Sequence, residues 1–337
     1  DLPVEIELNT NWQFKGINTV DWRSASVPGN IFTDLLSHKV IEDPFIKTNE
    51  EKVQWVSKKD WEYKTNFSLS EEILNKKNIE LNFEGLDTYA KIYINGNYQL
   101  DTDNAFRNYT ISLKDIPIAK SNELKIEFQP ANLINDGVTP FENRVYTRKA
   151  QFQYGWDWGP KLNTIGIWKD VYIKAWDETI IKEVYLQQTN YSKEKAEFAA
   201  QLKIESSLKK NAEIQIEIND TIYREKIGLQ GKIFDYVVPI KIEKPKLWWP
   251  HNLGDPYLYT LNIKLIVDGK IVDEKKDLQS IIKAKEYFKI VSKNYPNTNY
   301  SLDAEYKIDL VNDTLASKEM YIGRYYFDKK KWRNNLN

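Results

Sequence analysis

The sequence predicts an all-β protein built from two β-sandwiches, and three observations lead to that prediction. Apolar and polar residues alternate in many short runs, and turn-forming Asn-Gly and Asp-Gly pairs follow two of those runs. The regular alternation of strands with helices that a parallel α/β sheet requires is missing. The first 178 residues have the size of a jelly-roll sandwich, and about 100 residues after them have the size of an immunoglobulin-like sandwich.

Strands are predicted wherever the apolar period is two, since alternate side chains then face the same side of a sheet. Asn95-Gly96 and Asp268-Gly269 each follow such a run and tolerate the positive φ angles of a tight hairpin. In the first part of the chain the clearest predicted strands are 79–83, 90–94 and 123–128. In the second part they are 182–187, 196–206, 212–218, 235–242 and 257–267.

Helical patterns are few. Residues 30–37, which follow Pro28-Gly29, are expected to form a short surface helix. Residues 277–288 carry apolar side chains at helical spacing.

The predicted organisation has three parts. Residues 1–178 form the jelly-roll domain and residues 179–277 form the immunoglobulin-like sandwich. Residues 278–337 form a short C-terminal segment with a helix and strands.

Composition excludes several classes of function. The chain has 48 basic and 49 acidic residues, a net charge of −1, no cysteine and two histidines. A balanced charge gives no electrostatic basis for a nucleic-acid partner, and no apolar run approaches the roughly 20 residues that span a membrane. Disulfides, thiolate metal sites and three-histidine zinc sites are excluded. We therefore expect no metal, no other cofactor, no nucleic acid and no membrane span.

The most specific segment is 148–160, with the sequence RKAQFQYGWDWGP. An acidic side chain between two indoles, as in Trp156, Asp157 and Trp158, can accept hydrogen bonds from paired sugar hydroxyls while a flat ring covers the apolar face of the sugar. Tryptophans also pack protein cores, and an aspartate beside glycine often caps a turn. The residues alone leave both interpretations open.

This segment resembles the hallmark of the β-mannosidase branch of glycoside hydrolase family 2. Other segments similar to that family follow one another in its order, so the resemblance extends from residue 8 to about residue 260. They are 8–14 (LNTNWQF), 27–30 (VPGN), 60–63 (DWEY), 83–88 (FEGLDT), 166–168 (GIW), 247–250 (LWWP) and 254–259 (GDPYLY).

The resemblance implies a galactose-binding-like jelly-roll, then an immunoglobulin-like sandwich, with a (β/α)8 barrel after them in the family. It implies that Asp157 bonds sugar hydroxyls and that Trp156 lines the pocket, while Trp158 either contacts sugar or packs. The implied partners are a β-mannoside or another carbohydrate, and a catalytic barrel against which these domains pack. Family habit implies a periplasmic or secreted location, or a lysosomal one in an animal.

We expect the catalytic residues to be absent from this chain. Retaining hydrolysis needs two carboxyl groups about 5 Å apart, and in the family both are glutamates of the barrel. Only 61 of the 337 residues follow residue 276, whereas a barrel takes about 250. Segments 284–289 and 306–313 are similar to the region after the family's barrel, which implies that 278–337 begins a further sandwich.

Three functions follow as hypotheses. The first is the non-catalytic N-terminal part of a β-mannosidase-like hydrolase, which contributes a Trp-Asp sugar contact. The second is a free-standing carbohydrate-binding module. The third is a structural or interaction protein in which the tryptophan cluster belongs to the core.

Overall fold

The computed structural model of the chain describes residues 2–131, 147–219, 221–250, 252–255 and 257–276, together with single residues between 296 and 308. The chain divides into two compact units. The first comprises Asp1–Ile180 with Ser206–Leu208, and the second comprises Ile181–Glu205 with Lys209–Asn337. Strands dominate the described residues of both, so the predicted all-β class is confirmed.

The first unit is a sandwich of two antiparallel sheets. One sheet has the strand order β1-β12-β5-β9, the other has the order β3-β2-β4-β10-β7-β8, and β6 and β11 form a short separate ribbon. The strands are β1 (Val4–Glu7), β2 (Gln13–Gly16), β3 (Arg23–Ser24), β4 (Trp61–Ser68), β5 (Asn78–Phe83), β6 (Leu86–Asp87), β7 (Tyr89–Ile94), β8 (Asn97–Thr102), β9 (Tyr109–Ser112), β10 (Ser121–Gln129), β11 (Gly166–Ile167) and β12 (Val171–Trp176).

The two sheets bury one common core. Strands β5 and β7 show strict alternation of buried and half-buried residues, as expected when one face of each sheet points inward. Leu81 and Ile173 of one sheet belong to the same buried cluster as Ile92 and Ile126 of the other. The predicted strands 79–83, 90–94 and 123–128 are all confirmed.

Three short helices lie between the strands: α1 (Ile31–Ser37), α2 (Asn49–Lys52) and α3 (Glu71–Leu74). Helix α1 confirms the helix predicted at 30–37, and the side chain of Asn30 caps it by accepting hydrogen bonds from two backbone amides of the first turn. The helix has a surface face, since Thr33, Leu36 and Ser37 are exposed, and a buried face. Ile31 and Leu35 are 0% and 3% exposed because their spacing of four places both on the helix face that packs into the core.

The second unit contains two further antiparallel sheets, with strand orders β13-β14-β17 and β16-β15-β18-β19. These seven strands in the described residues fit an immunoglobulin-like sandwich. They are β13 (Thr179–Tyr191), β14 (Lys195–Ser206), β15 (Asn211–Ile218), β16 (Thr221–Gly228), β17 (Ile233–Glu243), β18 (Leu261–Val267) and β19 (Lys270–Lys276).

Both predicted hairpin turns are present. Asn95 and Gly96 have φ angles of 51° and 77°, and Asp268 and Gly269 have φ angles of 51° and 72°. These left-handed conformations match the twist of the flanking strands. The strand predicted at 257–267 begins only at Leu261. The helix predicted at 277–288 lies outside the described residues, as does most of the segment 278–337.

Candidate functional site

The predicted Trp-Asp-Trp segment forms a tight surface turn in the first unit. Trp156 and Gly159 exchange two backbone hydrogen bonds of 3.2 Å, so Asp157 and Trp158 occupy the two central positions of what we call the indole hairpin, Trp156–Gly159. Gly155 has a φ of 99°, a conformation that favours glycine, and it ends the 3₁₀ turn Gln151–Tyr154 that precedes the hairpin. The local sequence therefore turns the chain sharply outward.

All three predicted site residues are exposed. Trp156 is 51% exposed, Trp158 is 84% exposed, and Asp157 is also on the surface. The two indoles contact each other edge to face, with ring centroids 5.8 Å apart and an angle of 70° between the planes. The tryptophans of this hairpin do not belong to the core. The third hypothesis, a structural protein whose tryptophan cluster is part of the core, therefore loses this premise.

The segment that follows the hairpin is tied to the body of the domain. Glu50 accepts a hydrogen bond of 2.7 Å from the backbone amide of Lys161, and Gln54 donates one of 2.8 Å to the carbonyl of Lys161. Ser57 donates to the carbonyl of Asn163 at 2.8 Å. These partners come from α2 and the turn after it, so a helical segment distant in sequence supports the loop.

Two clefts flank the indole hairpin. The polar cleft, of about 680 Å³, has Asp157 in its lining. It is lined by Pro44, Phe45, Lys47, Glu50, Gly155, Trp156, Asp157, Trp158, Gly159, Pro160 and Lys161. The apolar cleft, of about 830 Å³, shares Phe45, both indoles, Gly159 and Pro160 with it. It is also lined by Asn30, Asp87, Ala105, Phe106, Ala150, Phe152, Gln153, Leu162, Thr164 and Trp168.

The apolar cleft contains aromatic residues that sequence reasoning missed. Phe106 and Phe152 are 58% and 67% exposed and lie on separate loops. Phe106 lies outside every predicted motif, and Phe152, although it belongs to segment 148–160, was assigned no role, so only the fold brings the two together. Trp168 lies in a segment that the resemblance covers; its Nε1 donates to the carbonyl of Ala105 at 2.9 Å. A Cβ atom at Gly85 would lie 2.5 Å from that Nε1, so the close approach of the indole explains why residue 85 is a glycine.

A buried ion pair lies beneath the apolar cleft. Lys149 Nζ is 2.5 Å from Asp87 Oδ1, and the two side chains are 1% and 6% exposed. Burial lowers the pKa of Lys149, and the neighbouring Asp87 carboxylate opposes that shift. Both residues lie in segments that resemble the family, but the sequence alone assigned neither a role.

The site offers groups that are suited to binding. An exposed carboxylate accepts hydrogen bonds from hydroxyls, and exposed ring faces cover apolar ligand surfaces. Within the described ranges, no group of three or more metal-ligating side chains comes together. No helix in the same ranges is both long and apolar enough to cross a membrane.

Comparison with known families assigns both sandwiches. Residues 12–169 match the model described as glycosyl hydrolase 2 galactose-binding domain-like, and residues 179–278 match the model described as glycosyl hydrolases family 2. The chain belongs to glycosyl hydrolase family 2. Its two matched domains agree with the predicted galactose-binding-like jelly-roll and immunoglobulin-like sandwich.

The relatives of this family 2 chain include β-mannosidases. Beta-mannosidase B from Aspergillus terreus is 31% identical over 287 residues, which cover 79% of this chain and 34% of the relative. Beta-mannosidase B from Thermothelomyces thermophilus is 29% identical and covers 80% and 33%. The crystal structure of beta-D-mannosidase from Dictyoglomus thermophilum is 34% identical with a TM-score of 0.71, covering 80% of this chain and 35% of that one.

The chain thus spans about a third of the length of these relatives. The matched third corresponds to the non-catalytic N-terminal domains of a β-mannosidase-like family 2 hydrolase, as the first hypothesis states.

The C-terminal segment has a different match. Residues 256–337 match the model of the YfiO family, described as outer membrane lipoprotein. The predicted third domain, 278–337, lies within this match, and the further sandwich expected there stays a prediction. Because that segment lies almost entirely outside the described residues, the expected helix and strands stay a prediction.

Proposed function

We propose that the indole hairpin of this chain contacts the terminal sugar of a β-mannoside, as one wall of a site whose catalytic carboxylates belong to a barrel packed against the first domain. In this role Asp157 accepts hydrogen bonds from two sugar hydroxyls. Trp156 lines the pocket, and the ring of Trp158 covers an apolar face of the sugar. The chain alone binds but does not hydrolyse.

The observation that carries this proposal is the exposure of the hairpin. Trp158 is 84% exposed to solvent, and its neighbour Asp157 lines the polar cleft. Large exposed indoles carry a solvation cost unless a partner covers them, and an aspartate between them supplies a directional acceptor. β-Mannosidases among the relatives make a mannoside the sugar to test first.

The first experiment measures both hydrolysis and binding by the isolated chain. We expect no release of nitrophenol from p-nitrophenyl β-mannoside. We expect calorimetry with mannobiose to detect no affinity tighter than about 1 mM, equivalent to about 4 kcal/mol, because one wall of a site supplies few contacts. Saturation-transfer NMR at high mannobiose concentration is expected to detect the weaker contact.

Variants then assign the contact. Asp157→Ala is expected to abolish saturation transfer, since each hydrogen bond to a charged group contributes about 1.5–3 kcal/mol. Asp115→Ala, which changes another exposed aspartate of the same domain, is the matched control and should leave the signal unchanged. Hydrolysis by the chain alone, or saturation transfer that survives Asp157→Ala, contradicts the proposal.

A second candidate function is a free-standing carbohydrate-binding module. The apolar cleft favours it, because Phe106 and Phe152 add exposed rings to those of the hairpin within a single domain. A module of this kind should bind manno-oligosaccharides more tightly than about 1 mM and lose affinity on Phe106→Ala. If the hairpin is only one wall of a larger site, Phe106→Ala should leave the weak saturation transfer unchanged.

A further inference from the structure

The buried pair of Lys149 and Asp87 is not explained by stability alone. Removing two charges from water costs several kcal/mol, and the attraction between them often only balances that cost. Both side chains are almost fully buried, at 1% and 6% exposure. A pair of apolar side chains of similar volume serves a core equally well. A more specific role therefore depends on what the pair holds in place.

The contacts of the pair converge on both ends of one loop. Lys149 Nζ also donates to the carbonyl of Thr164 at 2.6 Å. Asp87 Oδ2 accepts hydrogen bonds from Thr164 Oγ1 at 2.6 Å and from Gln153 Nε2 at 3.5 Å. Gln153 Oε1 accepts a further bond of 3.1 Å from the backbone amide of Thr164. One carboxylate thus closes the loop that begins at Lys149 and ends at Thr164.

That loop carries the three residues of the proposed mannoside contact, Trp156, Asp157 and Trp158, since the indole hairpin lies between the two closed ends. The carboxylate itself belongs to the scaffold, because Asp87 is in β6 and pairs with Gly166 of β11. Asp87 forms part of the apolar cleft but does not line the polar cleft that contains Asp157. Any effect of the pair on binding at the carboxylate of Asp157 must therefore pass through the loop.

We propose that Asp87 and Lys149 are positioning residues, whose buried ion pair fixes the loop 150–163 so that the indoles of Trp156 and Trp158 are held in the arrangement that receives the sugar. The positioning of the indoles can be tested without ligand. Its consequence for the sugar rests on the proposed function.

The experiment uses the full chain labelled with 5-fluorotryptophan. Fluorine NMR reports each of the 11 tryptophans separately, and Trp156→Phe and Trp158→Phe assign the two resonances of interest. Lys149→Met is expected to shift and broaden both resonances. It is also expected to accelerate hydrogen exchange of peptides from 150–163 about tenfold, while peptides from β4 and β10 are unchanged.

Two further variants separate positioning from general stability. Lys76→Met is the matched control, since Lys76 is also buried, at 6% exposure, and pairs with Asp177 at 2.8 Å without lining either cleft. It should leave the indole resonances and the exchange of the loop unchanged. The double variant Asp87→Leu/Lys149→Met leaves no unpaired buried charge, so it should fold and still release the loop.

The outcomes distinguish the two claims. Unchanged resonances and unchanged loop exchange in the double variant overturn the positioning role, as do equal changes in Lys76→Met. If the double variant has a mobile loop but transfers as much saturation to mannobiose as the wild-type chain does, the link to the sugar is overturned. If the wild-type chain gives no saturation transfer, the proposed sugar contact fails, while the fluorine resonances and hydrogen exchange still decide whether the pair positions the loop.

Discussion

Replacing Trp158 by alanine is expected to change the stability of the first domain little, whereas replacing Trp12 is expected to destabilise it strongly. Both residues are tryptophans of the same sandwich, but Trp158 is 84% exposed and Trp12 is 1% exposed. Trp12 also donates a hydrogen bond from Nε1 to the carbonyl of Leu8. The comparison therefore separates an indole that serves binding from one that serves the core.

The expected magnitudes follow from burial. The 16% of Trp158 that remains covered when 84% is exposed corresponds to about 40 Å² of a side chain of roughly 250 Å². At about 25 cal/mol per Å², this area contributes about 1 kcal/mol at most to the free energy of unfolding. Truncation of a fully buried tryptophan costs about 3–5 kcal/mol, because it removes apolar contacts and leaves a cavity.

Urea unfolding followed by far-UV circular dichroism is the suitable assay, because tryptophan fluorescence loses its own reporter in these variants. The midpoints of the first domain's transition are compared at equal m-values. The saturation-transfer signal of mannobiose, which arises by transfer from the protein, should be weaker with Trp158→Ala than with the wild-type chain. A loss of stability in Trp158→Ala as large as that in Trp12→Ala would show that the indole is buried in solution and would refute the reasoning.

Three further predictions concern single positions. Asn30→Ala removes the side-chain cap of α1, which should cost about 1 kcal/mol in a thermal or urea unfolding experiment; an unchanged midpoint contradicts the capping role. Gly85→Ala places a Cβ atom 2.5 Å from Trp168 Nε1 and should cost about 1–3 kcal/mol through overpacking, with a shifted Trp168 resonance as the second readout. Burial and then neighbouring carboxylates raise the pKa of Tyr172 to about 12, so the unfolded state releases this proton first, and stability should fall as pH rises from about 10 to about 12. Because the Tyr172 hydroxyl is only partly buried, we expect this loss of stability to be about 1 kcal/mol and to be absent in Tyr172→Phe. The difference in tyrosinate absorbance between the wild-type chain and Tyr172→Phe isolates the titration of Tyr172, and a midpoint near 10 in that difference rejects the shift.

The all-β fold was predictable because local patterns determine it. Residues 79–83 and 90–94 alternate so regularly that only strands bury one side of them. Asn95-Gly96 and Asp268-Gly269 specify their turns through backbone geometry that few other residue pairs adopt. Strand β16 of the second unit was missed, because it is mostly exposed or half-buried and lacks a clear apolar period.

The site was only partly predictable. Trp156, Asp157 and Trp158 were found because they are adjacent in sequence and bracketed by glycines, so their proximity needed no fold. The partnership of Asp87 with Lys149 joins residues that are 62 positions apart. No pattern in either segment indicates such a pairing, because an ion pair depends on where two strands and a loop meet.

The sequence by itself determined most of the strands, the hairpin turns and the three adjacent candidate residues, since each depends on the preferences of neighbouring residues. The tertiary structure decided that the indoles face solvent, that Phe106 and Phe152 share a cleft with them, and that one buried carboxylate closes the loop. Burial and long-range contact depend on how complete sheets pack, and the same tryptophan is compatible with a core or with a surface until that packing is known.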